Sequence, residues 1–99
     1  MSEVYTIEQL KTVLTPVFRK NNVRKATLFG SYSKGSATEH SDVDLLVDSG
    51  LRGLQFFGLL DDVCEALPCR VDLIDTYDVE AGSPVEAEIK RTGVVLYEQ

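Results

Sequence analysis

Residues 28–48 read LFGSYSKGSATEHSDVDLLVD, two short apolar runs joined by a polar loop. The first run closes on Gly30-Ser31, ten residues follow, and then Asp42 and Asp44 flank a single Val43. From Asp42 to Val47 acidic and apolar residues alternate before the run turns aliphatic, which is the period-two pattern of a strand. Successive strand side chains point to opposite faces, so Asp42 and Asp44 share one face while Val43, Leu45 and Val47 share the other, the core face. Two carboxylates side by side repel, and each has its pKa raised unless a cation lies between them. Hard oxygen ligands of this kind suit Mg²⁺, and a pair of such ions would supply the missing positive charge.

The upstream half supplies a complement. Ala26 to Phe29 reads as a strand that breaks at Gly30. Without a Cβ, Gly30 lets a phosphate approach the backbone, and Ser31 adds a hydroxyl donor beside exposed N–H groups. A short helix starting there would present its N-terminus to an anion. Lys34, three residues beyond Ser31, either reaches a phosphate or is an exposed loop lysine. Phosphate binding at one strand end and metal-binding carboxylates on the next together suggest metal-assisted nucleotide chemistry.

The whole chain bounds what can surround this stretch. Ninety-nine residues make one domain with one modest core. With 43% hydrophobic and 26% charged residues the composition is that of a globular protein. Ten basic against sixteen acidic residues leave a net charge of −6, which argues against broad nucleic-acid binding. The basic cluster Arg19, Lys20, Arg24 and Lys25 reads as a solvated face. The N-terminus MSEVYTIEQL is acidic and has no apolar segment, so neither a leader nor a membrane span is expected, and the cytoplasm is the expected compartment. Cys64 and Cys69 lack zinc-ligand spacing and read as free thiols. His40, the only histidine, reads as a loop residue rather than a metal ligand.

In chain order, Thr6-Ile7-Glu8-Gln9 forms a capping box opening a helix with Leu10, Val13, Leu14, Val17 and Phe18 at helical spacing. Pro16 predicts a kink, or a break near Thr15. Residues 23–29 form the first strand, and Asp42–Asp48 the second. Residues 54–67 form a helix whose apolar face is read as Phe56, Leu60, Val63, Cys64 and Leu67, with Phe56-Phe57 in the core. Residues 70–75 make a third strand carrying Asp72, a further carboxylate among aliphatics and a candidate third metal ligand or general base. Ser83-Pro84-Val85-Glu86 starts a last helix, Gly93 caps it, and residues 94–97 close the chain as a strand. The order predicts an α/β (α+β) sandwich around a mixed sheet of about four strands. An exposed edge at that last strand would permit homo-oligomer pairing.

The Phe29-Gly30-Ser31 motif, ten residues, then Asp42-Val43-Asp44-Leu45 resembles the signature of the DNA polymerase beta-like nucleotidyltransferase superfamily. Val71-Asp72-Leu73-Ile74 resembles its third carboxylate motif. Length and element order most resemble the minimal nucleotidyltransferases, the antitoxins of HEPN/MNT toxin–antitoxin modules, over nearly the whole chain. Gly35-Ser36, only five residues before Asp42, does not fit the motif.

The resemblance implies that Gly30 and Ser31 hold the β- and γ-phosphates of ATP, beside Lys34 as the further phosphate-binding candidate. It implies that Asp42, Asp44 and Asp72 hold two Mg²⁺ ions, with Asp72 also drawing the proton from an acceptor hydroxyl. It further implies AMP transfer from ATP to a tyrosine of a partner HEPN toxin. Lys34 stands where such proteins usually carry arginine, and a lysine cannot make the bidentate contact. No second, helical lobe is read from the sequence. Two other readings use the same residues: a non-catalytic module that masks its partner, and transfer to a small molecule.

Overall fold

The computed structural model describes residues 4–99, so the start of the acidic stretch read for a leader, residues 1–3, lies outside the described part. Helix α1 spans Ile7–Lys20 and opens as the capping box requires: the Gln9 amide donates to Thr6 Oγ1 at 3.0 Å, and the Thr6 amide donates to Gln9 Oε1 at 2.8 Å. Leu10, Leu14 and Phe18 are fully buried along one stripe. The break considered near Thr15 does not occur. Pro16 lies on the solvent side of an unbroken helix, where the carbonyl left without a donor remains open to water.

Strand β1 (Lys25–Phe29) runs antiparallel to both β2 (Val43–Asp48) and β4 (Val94–Glu98), while β2 runs parallel to β3 (Val71–Asp75). The resulting order is β3-β2-β1-β4, a four-stranded mixed sheet as expected. A parallel pair needs a crossover connection, and α3 (Leu54–Ala66) provides it between β2 and β3. Helices α1 and α3 pack together on one sheet face. Beneath them Ala26, Leu28, Val43, Leu45, Val47, Leu73 and Leu96 join Leu10, Leu14, Phe18, Leu59 and Val63 in a single core. The alternation read along β2 therefore holds: Val43, Leu45 and Val47 are fully buried, and the residues between them are half-buried on the opposite face.

The apolar face of α3 differs from its sequence reading. Leu59 and Val63 are fully buried with Leu67 just beyond, Phe56 and Leu60 flank them half-buried, and Cys64 is exposed. Phe57 is 62% exposed, not in the core. Two apolar stripes lie side by side on this helix, and periodicity alone does not say which one a narrow crossover turns toward the sheet. The basic residues Lys20, Arg24 and Lys25 are exposed and paired with Asp62, Asp48 and Glu98 respectively, a solvated face as read.

After β3 the chain makes a single 3₁₀ turn (Thr76–Asp78) capped by Asp75. Asp75 is 6% exposed, and its carboxylate accepts from the Ser49 hydroxyl, the Ser49 amide and the Tyr77 amide. Asp75→Ala strands the two buried Ser49 donors away from water. We expect a loss of about 2–3 kcal/mol in urea unfolding, with Asp75→Asn recovering part of it. A variant as stable as the parent would mean that water replaces the carboxylate.

Helix α4 (Pro84–Thr92) starts as read, with the Glu86 amide donating to Ser83 Oγ at 3.2 Å and Pro84 in the first turn. Gly93 ends it in an ordinary extended conformation, φ −62°, rather than a left-handed one. Its lack of a side chain is explained by crowding: a Cβ there would lie 3.0 Å from Thr27 Cγ2 and closer still to the Ile89 carbonyl oxygen. Strands β3 and β4 are the sheet edges, and Val95 on β4 is 45% exposed. Among the described residues no helix is long and apolar enough to cross a membrane.

Candidate functional site

The sheet register gathers the acids that the sequence separates. Asp44 pairs with Phe29 across β1 and with Asp72 across β3. Directly opposed residues on adjacent strands share a face, so Asp44 and Asp72 lie side by side on the face away from α1 and α3. Asp42 precedes β2 by one residue, and its Oδ1 sits 3.4 Å from Arg70 Nε at the mouth of β3. Asp42 and Asp44 are half-buried, whereas Asp72 is exposed. Burial, and then the charges of Asp72, Asp42 and Glu88, push the pKa of Asp44 up to about 6. Burial contributes most to this raised proton affinity, and the neighbouring carboxylates, whose crowding the sequence reading anticipated, add to it.

Gly30 sits at the end of β1 with φ +77°, and a Cβ there would overlap Asp44 Oδ2. The glycine is thus required by the approach of a carboxylate as well as by its own backbone. Its own N–H is already engaged, so it is not among the exposed N–H groups expected beside Ser31. It donates to Thr92 Oγ1 at 3.1 Å, and that hydroxyl donates in turn to the Glu88 carbonyl oxygen at 2.8 Å. The last turn of α4 is thereby fastened against the end of β1. Ser31 then opens α2 (Ser31–Lys34), a single turn whose Ser33 hydroxyl donates back to the Gly30 carbonyl at 2.8 Å. Tyr32 is buried beneath this turn, while Ser31 is half-buried and Lys34 exposed.

Lys34 Nζ lies 3.8 Å from Glu88 Oε1, and the other carboxylate oxygen of Glu88 is hydrogen-bonded by Arg91. Glu88, Arg91 and Thr92 were not singled out in the sequence. No local motif marks them, and only the packing of α4 against β1 brings them to Gly30. His40 lies in the exposed loop beside Glu39, at 3.2 Å, and joins no ligand cluster. Cys64 and Cys69 are free.

The described residues hold no group of three His, Cys, Asp or Glu side chains arranged to bind a metal ion as they stand. The donor chemistry nevertheless fits a divalent cation. Asp42 just before β2 and Asp44 within it are hard oxygen donors, and Asp44 is crowded by further acids, a repulsion that a bound cation would relieve.

A family model described as "Polymerase beta, Nucleotidyltransferase" matches residues 12–99. The chain is 37% identical over 83 residues to the protein adenylyltransferase MntA of Thermococcus cleftensis, spanning 78% of this chain and 84% of that protein. In three dimensions it is similar to a crystal structure of a toxin–antitoxin with AMP-PNP, with TM-score 0.73 and 26% identity over 90% of this chain and 73% of that one. It shares a fold with a chain of a structure described as a tri-AMPylated Shewanella oneidensis HEPN toxin in complex with MNT antitoxin, at TM-score 0.68 and 23% identity over 95% of this chain and 74% of that one. A motif spaced as in nucleotidyltransferases, the pairing of Asp44 with Asp72 across the sheet and a match over residues 12–99 lead to one conclusion: the chain belongs to the polymerase beta nucleotidyltransferase family.

Proposed function

We propose that this nucleotidyltransferase moves AMP from ATP onto a tyrosine hydroxyl of a partner HEPN toxin, and that it acts in the cytoplasm as the antitoxin, residues 1–99 forming one minimal domain. The observation that carries the reading is the register that sets Asp44 beside Asp72 and against Gly30, with Asp42 one turn of the pleat away. The relationship to an MntA adenylyltransferase and the likeness to a toxin–antitoxin with AMP-PNP support the nucleotide and the partner class.

In this reading Asp42, Asp44 and Asp72 would hold two Mg²⁺ ions, which would supply charge neutralisation for the transfer. Gly30 lets the β- and γ-phosphates approach the backbone, and Ser31 and Lys34 bind them. Asp72 is the exposed acid, open to a large acceptor, and it takes the proton from the acceptor hydroxyl. The freed oxygen bonds to the α-phosphorus, the bond from that phosphorus to the bridging oxygen breaks, and pyrophosphate leaves. No basic groove for nucleic acid enters the proposal, in keeping with a net charge of −6.

The test is the intact mass of the protein encoded beside this chain after incubation with ATP, Mg²⁺ and a trace of the chain. One or more AMP units should appear on it, and none when the chain carries Asp42→Ala with Asp44→Ala. A stable stoichiometric complex without added mass would replace transfer by masking of the partner. AMP appearing on a small hydroxyl compound without any partner would instead make the chain a small-molecule transferase.

A further inference from the structure

The cluster of Lys34, Glu88 and Arg91 has no complete role in the reaction proposed above. Lys34 comes from the single turn α2, while Glu88 and Arg91 stand three residues apart in the last turns of α4. Both oxygens of Glu88 are engaged, one 3.8 Å from Lys34 Nζ and the other bonded by the Arg91 guanidinium. The glutamate is the most enclosed of the three, 26% exposed against 48% for Lys34 and 67% for Arg91. The same helix turn holds the Gly30 N–H through Thr92 Oγ1, so the cluster is fastened to the phosphate-binding end of β1. Arg70 is engaged by Asp42 on the β3 side.

We propose that Glu88 is a latch on the nucleotide subsite: without nucleotide it holds Lys34 and Arg91, and an incoming triphosphate takes both cations from it, which makes Arg91 a second phosphate-binding residue. This rests on the assignment of Gly30, Ser31 and Lys34 to phosphate binding. The chemistry favours the exchange. A guanidinium offers paired N–H donors in a fixed fork matched to phosphate oxygens, which an ammonium cannot do. Arg91 on α4 would thus restore the bidentate contact that Lys34 lacks, supplied from a different element of the fold. Glu88 opposes that transfer, because the triphosphate must first break its two pairings with Lys34 and Arg91. It therefore weakens nucleotide binding and sets the affinity of the empty subsite.

Direct titration of the full chain with Mg²⁺ and AMP-PNP tests this without any transfer step. Arg91→Ala is expected to weaken binding about tenfold, and Glu88→Gln to tighten it about threefold. The decisive variant combines Lys34→Ala with Arg91→Ala. In that background Glu88→Gln should change the affinity no further, because the latch has nothing left to hold. Tightening of the same size in both backgrounds would show plain repulsion between Glu88 and the phosphates and overturn the latch. An affinity unchanged by Arg91→Ala would overturn the phosphate role of Arg91. Failure of the parent chain to bind AMP-PNP would overturn the nucleotide reading, and the latch with it. Wild-type binding that is indifferent to these variants sinks the latch alone.

Discussion

Asp44→Asn is expected to reduce AMP transfer about a thousandfold or more while making the protein more stable at neutral pH. The two effects share one origin. Asp44 is half-buried against Gly30, opposite Asp72 and near Asp42 and Glu88, and burial first, then those charges, hold its pKa at about 6 against an ordinary 3.8. Below about pH 3.8 both folded and unfolded chains keep the proton and the group costs nothing. Between 3.8 and about 6 the folded chain holds a proton that the unfolded chain has released, so stability falls as pH rises. Above about 6 the penalty is complete and constant.

Asparagine keeps the shape and removes the charge. Solvent screens a half-buried group, so the gain at pH 7 is about 1 kcal/mol, or about 4–8 °C in melting temperature for a domain of this size. At pH 3.5 the variant and the parent should melt together. Thermal melts at the two pH values, beside a transfer assay, check both halves. A variant destabilised at pH 7 would show that Asp44 is held by favourable contacts rather than crowded by acids.

Gly30→Ala is the second large effect. The residue has φ +77°, where an L side chain is strained, and the new methyl group would overlap the Asp44 carboxylate. Strain and displacement together should cost about 2–4 kcal/mol. The forced movement of Asp44 should lower transfer about a hundredfold even in the fraction that folds, since small misplacements of catalytic groups are costly. Gly35 is the internal control. It too has positive φ, at 74°, but a Cβ there meets nothing within 4 Å. Gly35→Ala should cost about 1 kcal/mol and leave transfer nearly intact. Equal losses at the two positions would show that backbone strain alone, and not the approach of Asp44, makes Gly30 a glycine.

The local chemistry of the chain was legible from residue types and spacing. Thr6 and Gln9 form their reciprocal cap, and Ser83 and Pro84 start α4, because capping depends on groups within one turn. The alternation of Asp42 to Val47 revealed both the strand and its buried face, because side-chain direction on a strand follows sequence parity alone. The α3 face was misread at Phe57 and Cys64, where two apolar stripes competed and only the neighbouring sheet selects one.

The polar surroundings of the acids were not legible. Glu88, Arg91 and Thr92 lie more than forty positions beyond Asp42, and nothing in PVEAEIKRT marks them as partners of Gly30 or Lys34. The sequence alone established the strands, the caps and the pairing of Asp42 with Asp44, all interactions settled within a few residues. The adjacency of Asp72 to Asp44, the hydrogen bond that occupies the Gly30 N–H and the sharing of Glu88 between two cations depended on strand order and on where α4 packs. Those are set by burial of the whole apolar surface at once, which brings distant segments together without any signal at the segments themselves.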